Sequence, residues 1–368
     1  MKLTLGQIAI VTMGQSPSSE YYNSNHNGLP FLQGCTTFGR LYPTYDIWSS
    51  FYNKEAFPGD ILFTVRAPVG DVNMCKDHIA IGRGLASIKA LNVLPKYLFY
   101  LLQANKHQFQ FASSGTIYQS INRDKLLSVE LNVHSPEDQR HIVGTIGTID
   151  DLIEINARKI NLCLSKIDQQ YRSLEKPIPQ GKSLNDYFDI TIGRTPPTKE
   201  SKWFAGSEEG NTKWLSIKDM QSDKPYIYET SQWLTNDAVE KFNIPKVRIG
   251  DVLLSFKLTV GRVAIAGSDM ITNEAIACFK STDETRYYLY CFLRHSNFLS
   301  DGGNTSSIGK AVNSSIIKKF PFSLPNQEQL DLFNSTIKPL FRLIDNLYRQ
   351  NILLCRQKNA LLKHYFDS

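Results

Sequence analysis

The sequence predicts an α+β chain in which two strand-rich copies of one domain are each closed by a long helix. Three observations carry this reading. A block of residues returns 191 positions later in the chain. Short β-forming runs are punctuated by Gly, Pro, Asn and Ser. Each copy ends in two interleaved apolar rows with seven-residue spacing.

The duplication is the first element to justify. Gly59-Asp60-Ile61-Leu62 returns as Gly250-Asp251-Val252-Leu253, and Val69-Gly70 as Val260-Gly261. The same offset relates Ala86 to Ala277, Lys89 to Lys280, Tyr97-Leu98 to Tyr288-Leu289, Ile117 to Ile308 and Asn122 to Asn313. Upstream, Gly14-Gln15-Ser16-Pro17 resembles Gly193-Arg194-Thr195-Pro196 at an offset of 179, so the second copy holds about a dozen extra residues in between. A repeat of this length is a duplicated domain and not a solenoid, whose units run to about 20–50 residues.

Within each copy, Leu29–Gly34 and Asp60–Val65, and likewise Lys213–Ile217 and Asp251–Phe256, are rich in β-formers and read as strands joined by turns. A short helix is expected near Tyr97 and its counterpart near Tyr288. A long helix follows Ser135-Pro136-Glu137-Asp138-Gln139, where Ser caps and Pro fits the first turn. Its rows are Ile142, Ile149, Asn156 and Cys163, interleaved with Ile146, Ile153, Ile160, Ile167 and Leu174. After Pro325 the second helix gives Leu330, Ile337, Ile344 and Asn351 beside Phe333, Leu340, Leu347, Leu354 and Leu361. Such rows predict coiled-coil helices. Pro339 should kink the second helix or mark a late start, and Lys176–Gly181 reads as the linker. Asn156 and Asn351 each interrupt an apolar row, and buried amides at such places fix register, so the two are expected to face each other.

Composition narrows the class. The 368 residues carry 41 Lys plus Arg against 35 Asp plus Glu, a net charge of +6, with 42% hydrophobic and 11% aromatic residues. This is the composition of a globular protein with more than one core, not of a disordered or fibrous chain. No apolar run reaches membrane-spanning length and the N-terminus lacks a signal-peptide core, so a cytoplasmic protein is expected. Cys35, Cys75, Cys163, Cys278, Cys291 and Cys355 show no paired spacing and are expected to be reduced and mostly buried.

Catalytic motifs fail one by one. Gly181-Lys182-Ser183 lacks the glycine that begins a phosphate loop, and Gly309-Lys310 is followed by Ala311 where a Mg-binding hydroxyl is required. Gly82-Arg83-Gly84 meets Ser87 where a dinucleotide fingerprint needs its third glycine. Glu200-Ser201-Lys202 with Asp189 is a weak imitation of a nuclease carboxylate set, and Thr195-Pro196-Pro197-Thr198 lacks the amide and ring of an amino-methyltransferase loop. The seven His residues share no metal-ligand spacing. A non-catalytic chain that binds neither metal nor cofactor is expected.

What remains is binding. Gln15, Ser16, Ser18, Arg40, Arg66, Arg83, Thr116 and Gln119 in the first copy place amides, hydroxyls and guanidinium groups on Gly-rich turns. Arg194, Thr195, Lys199, Lys218, Lys257, Arg262 and Lys310 do so in the second. These are groups that reach base edges and phosphates of double-stranded DNA.

The same residues resemble a known family. The duplicated Gly-Asp-[Ile/Val]-Leu…Val-Gly block, the loops leading to Asn122 and Asn313, and the Pro-x-x-Glu/Gln signatures at Pro136–Gln139 and Pro325–Gln329 are similar to those of specificity subunits of type I restriction-modification systems. The order of these motifs, duplicated and each time followed by a heptad helix, covers essentially the whole chain. The resemblance implies target recognition domains at residues 1–135 and 177–325, separated by antiparallel coiled-coil helices at 136–176 and 326–368 with an internal pseudo-twofold. Each domain would read one half of a split DNA site. The helices would set the spacer and dock two methyltransferase subunits. S-adenosylmethionine, ATP and Mg would then belong to partner subunits, among them an ATP-dependent restriction subunit, and not to this chain. A coiled-coil adaptor that has lost DNA recognition is the alternative.

Overall fold

The structure is a computed structural model and describes residues 1–113, 120–221, 224–298 and 312–367. The chain divides into two units. The first comprises Met1–Ile155 with Asn351–Ser368, and the second comprises Asn156–Gln350.

In the first unit an antiparallel sheet is ordered Ala9–Met13, Leu85–Ala90, Ile61–Thr64 and Val72–Met74. A second sheet is ordered Tyr22–Asn23, Trp48–Ser49, Leu29–Leu32, Ile79–Ile81 and Glu55–Ala56, with its third and fourth strands parallel. The second unit repeats both. Its first sheet runs Ile190–Ile192, Ile276–Phe279, Val252–Ser255 and Val263–Ala266, then adds Tyr226–Ile227 at the edge. Its second runs Phe204–Ala205, Trp233–Leu234, Thr212–Leu215, Met270–Thr272 and Lys246–Val247. Even the register is duplicated: Leu62 pairs with Ser87, and Leu253 pairs with Cys278.

The strand Ile61–Thr64 shows why these runs read as continuously apolar. Successive side chains point to opposite faces. Ile61 and Phe63 enter the main core under the helix Pro95–Ala104, while Leu62 joins Leu32, Ile79 and Ile81 in a smaller core on the other face. Val252 and Leu254, against Leu253, divide in the same way beneath the helix Arg286–His295. Each large side chain so buried contributes about 1.5–3 kcal/mol.

The long helices span Pro136–Ser173 and Gln327–Phe366. Within the first unit, His141 meets Tyr365 at 3.2 Å and Asp150 meets Lys358 at 3.0 Å, so the two segments there run antiparallel. Within the second unit, Asn156 donates to Gln350 at 3.0 Å and the rings of Tyr171 and Phe333 lie 6.4 Å apart, again antiparallel.

Two expectations need correction. The second helix begins at Gln327 and continues through Pro339, so the proline does not delay its start. Pro339 withholds a donor from the Ser335 carbonyl. The seven-residue rows also drift. Leu330, Phe333, Ile337, Ile344 and Leu347 are buried as expected, whereas Leu354 and Leu361 are half-buried and the neighbouring positions Leu362 and Phe366 are buried instead. An α-helix advances by about 20° against a strict heptad every two turns, so the buried face migrates onto neighbouring positions. All six cysteines are free, four buried and two half-buried.

Candidate nucleic-acid interface

The residues that repeat most faithfully build the scaffold. Gly59 and Gly250 adopt φ of +93° and +91°, a left-handed conformation that favours glycine. The carboxylates that follow them are buried and close the turn. Asp60 accepts the Phe57 amide at 3.0 Å and the Ser87 hydroxyl at 2.7 Å. Asp251 accepts the Arg248 amide and the Lys280 ammonium, both at 2.8 Å. Burial, with the Asp251 charge beside it, pushes the Cys278 thiol up to about 12.

The Val-Gly turn is also duplicated bond for bond. The hydroxyls of Thr64 and Ser255 donate to the carbonyls of Pro68 and Thr259, both at 2.6 Å. They accept the amides of Asp71 and Arg262 at 2.8 and 3.0 Å. Asn122 and Asn313 cap short helices by accepting the amides of Lys125 and Ser315. None of these side chains is left over for a ligand.

The candidate reading residues lie between the scaffold positions. In the first unit the Gln15 amide donates to the Ile81 carbonyl at 3.0 Å, and Ser16 Oγ accepts the Arg83 amide at 3.1 Å. Gly84 donates to the Gln33 carbonyl at 3.1 Å and receives the Val65 amide at 3.0 Å, next to Arg66. These bonds draw Gln15, Ser16, Gln33, Arg83 and Arg66 into one strip. All but Ser16, which is half-buried, are exposed. Arg66 forms a backbone bridge with Ser120. Ser18 is exposed at the start of the turn Ser19–Tyr21. Thr116 and Gln119 lie outside the described residues. Gln33 is not marked by the sequence, because its place in the strip follows from strand pairing, which the linear sequence does not display.

The second unit builds the same strip with different chemistry. The Arg194 amide donates to Thr272 at 3.0 Å, and its guanidinium donates to the Phe242 carbonyl at 2.8 Å. The Thr195 hydroxyl donates to Glu274. Glu274 is exposed and occupies the position equivalent to Arg83, at the 191-residue offset. Lys199 is exposed on the turn after Pro197, and Lys218 is exposed on the turn Ile217–Asp219. Arg262 donates to the Ile217 and Met220 carbonyls at 2.9 and 2.6 Å, so its guanidinium braces the turn that carries Lys218. Lys257 is half-buried with Nζ 5.7 Å from the centre of the Phe256 ring. Lys310 lies outside the described residues. Glu200 accepts Lys202 at 3.2 Å and the Trp203 indole at 3.0 Å, which occupies the carboxylate of the supposed nuclease set. Among the described residues no cluster of His, Cys, Asp and Glu could hold a metal ion.

Arg40 takes a different direction. Its guanidinium donates to Oδ1 and to the backbone carbonyl of Asp150, each at 2.8 Å, instead of joining the strip. Asp150 is 1% exposed and also accepts the Tyr100 hydroxyl at 2.8 Å and the Lys358 ammonium at 3.0 Å. Burial lowers the Lys358 pKa, although the Asp150 charge opposes the shift. Burial and the same carboxylate hold the Tyr100 phenol un-ionised. Lys358 lies seven residues beyond Asn351 on the same row, which signals its own burial, whereas Asp150 falls on neither row of the first helix. Asn156 is buried and Asn351 is half-buried.

Residues 1–163 and 180–363 each match the family described as type I restriction modification DNA specificity domain. The chain is similar to the putative type I restriction enzyme MjaX specificity subunit of Methanocaldococcus jannaschii, with 38% identity over 151 residues, 40% of this chain and 36% of that protein. It is 27% identical over 340 residues to the type I restriction enzyme MjaIX specificity subunit of the same organism, covering 83% of this chain and 76% of that one. The chain therefore spans about a third and three quarters of these two relatives. The fold is also that of the type I restriction-modification S subunit from M. genitalium, with a TM-score of 0.57, 13% identity and coverage of 100% and 96% of the two chains. With two matched copies filling almost all of its length, the chain belongs to the type I restriction modification DNA specificity domain family.

Proposed function

We propose that this chain is the specificity subunit of a type I restriction-modification complex and that its two domains read different halves of a split, asymmetric DNA site. One observation supports this above the others. A single scaffold, duplicated down to its turn hydrogen bonds, presents Arg83 in one copy and Glu274 at the same place in the other. In the major groove a guanidinium suits the acceptors of guanine and a carboxylate suits the amino group of cytosine. Two like frames with opposite charges at one reading point suit two different sequences. An adaptor that had lost DNA recognition has no such use for them.

In this reading Gln15, Ser16, Ser18, Gln33 and Arg83 face bases or phosphates in one half-site, and Arg194, Thr195, Lys199, Lys218 and Glu274 do so in the other. The long helices set the spacer and dock two methyltransferase subunits. Asn156 and Asn351 fix the register of the helices. The helix Pro136–Ser173 has 38 residues and is about 57 Å long, longer than one turn of DNA at ~34 Å. S-adenosylmethionine belongs to the methyltransferases and ATP to the restriction subunits, so the purified chain alone is expected to turn over neither. The complex works in the cytoplasm; among the described residues no helix is long and apolar enough to cross a membrane.

The test is to co-express the chain with a candidate type I methyltransferase subunit and map modified bases across a genome. A split asymmetric motif is expected. Modification without sequence preference, or none that depends on this chain, would sink the reading. Inserting four residues in either long helix should alter the spacer and leave both half-sites intact.

A further inference from the structure

Asp150 joins three separate parts of the first unit. It lies in the first long helix and accepts Lys358 from the second long helix, Tyr100 from the helix Pro95–Ala104, and Arg40 from the segment 33–47. Arg40 is the tip of that segment. On either side of it Gly39 exchanges two hydrogen bonds with the Asn73 side chain, at 3.1 and 2.9 Å, and the Leu41 carbonyl accepts the Met74 amide at 2.7 Å. At one end the segment begins with Gln33, whose carbonyl holds Gly84 beside Arg83. At the other, Ile47 accepts the Phe31 amide at 2.8 Å. The guanidinium makes two charge-assisted or carbonyl bonds with one residue, a geometry that fixes direction as well as distance.

We infer that Asp150 is a positioning residue for the first reader: through Arg40 it ties the 33–47 segment to the long helices and so sets the Gln33–Arg83 edge of the reading strip. This rests on the DNA-reading function proposed above. It also reassigns Arg40 from a DNA ligand to a strut, so the two roles can be separated by experiment.

The full chain is used to select a preferred site from randomised duplexes, and binding is then measured on that site with either half scrambled. Asp150→Asn and Arg40→Gln are each expected to weaken binding roughly tenfold, the size of one lost base contact. The loss should appear only when the first half-site is intact. The salt slope should not change, and the double variant should be no worse than either single one. Arg40→Gln leaves the buried Asp150–Lys358 pair in place and so covers the case in which Asp150→Asn fails to fold. A salt slope lowered by about one in Arg40→Gln, with Asp150→Asn binding normally, would make Arg40 a phosphate ligand and overturn the proposal. Equal losses at both half-sites would overturn it too. If the wild-type chain selects no sequence, the DNA reading itself fails. Amide exchange then decides the strut on its own: residues 37–45 should exchange faster in both variants, and unchanged exchange refutes it.

Discussion

The two units fill one equivalent layer with opposite physics. At the 191-residue offset Asp150 corresponds to Phe341 and Lys358 to Ile167. In the first unit the layer is a buried carboxylate held by an ammonium, a guanidinium and a phenol. In the second it is an aromatic cluster. Phe341 stacks on Tyr287 at 4.5 Å, meets Tyr290 edge-on at 5.3 Å, and lies 6.3 Å from Tyr226. Duplicated folds therefore conserve the demand that a layer be satisfied, not the means. An ion pair with all its hydrogen bonds made and an apolar layer of equal volume come out close in net stability, because desolvation offsets the Coulomb gain. They differ in direction: the ionic layer holds its partners at fixed angles, whereas the aromatic one tolerates sliding.

The comparison breaks most visibly when each layer loses its centre. Asp150→Ala leaves Lys358 buried without a counter-charge, and Phe341→Ala leaves a cavity. Both are expected to cost about 3–5 kcal/mol in denaturant unfolding. The remedies should differ. Replacing Asp150 and Lys358 together by Leu, with Tyr100→Phe, should recover most of the first loss, because neither a buried charge nor the buried Tyr100 hydroxyl then remains unpaired. No change at Ile167 should recover the second by more than the volume it refills. If the Leu pair is as unstable as Asp150→Ala, the layer is not held by charge balance.

A smaller effect tests the reading strip. Arg83→Ala should relax preference at one half-site and Glu274→Ala at the other, each by about 1–3 kcal/mol per lost base contact. The measurement is a comparison of affinities for single-base variants of the mapped motif. A change at the same half-site from both substitutions would contradict two independent readers.

Gly59 and Gly250 share a left-handed backbone but not a neighbourhood. An alanine Cβ at Gly59 meets no atom within 4 Å, whereas at Gly250 it falls 2.2 Å from the Arg286 guanidinium. Arg286 Nε donates to the Gly250 carbonyl at 2.6 Å, so it cannot withdraw without losing that bond. Gly59→Ala should cost roughly 1–2 kcal/mol in thermal or denaturant unfolding, from the backbone alone. Gly250→Ala should cost more. Equal costs would mean that Arg286 moves aside freely.

The fold was more legible than the site, for a physical reason. Strand and helix positions follow from local periodicity and turn chemistry, which the sequence states directly: Gly59, Gly70, Asn122 and their counterparts mark turns and caps wherever they occur. A reading strip depends on which turns become neighbours. Gln15, Ser16, Arg83 and Arg66 were recognisable as polar turn residues, but Gln33 and Glu274 join them only through strand pairing. Arg40 shows the converse. On composition it is another arginine on a Gly-rich turn, and only the fold brings it to Asp150, 110 residues away. Heptad rows located the helices but not their whole buried face, because Leu362 and Phe366 follow the helix's own period.

The smallest expected difference lies at the Val-Gly turns, where Arg66 and Lys257 occupy equivalent positions. Both turns carry the same hydrogen bonds and the same glycine at φ of +93°, although the first passes through a cis Ala67-Pro68 peptide and the second through Leu258 at φ of +57°. If both turns meet phosphate, Arg66→Ala and Lys257→Ala should each lower the slope of log K against log salt by about 0.9, since each removes one neutralised charge. Affinity at fixed salt should fall less for Lys257. Its ammonium lies over the Phe256 ring, and leaving that ring to reach a phosphate gives up about 0.5–1 kcal/mol that exposed Arg66 does not forfeit. Titrations at several salt concentrations with the same duplex read both quantities at once. Unchanged slopes in both variants would place the turns away from DNA. A slope change confined to Arg66 would mean that Lys257 stays on its ring in the complex and that the two readers hold the backbone differently.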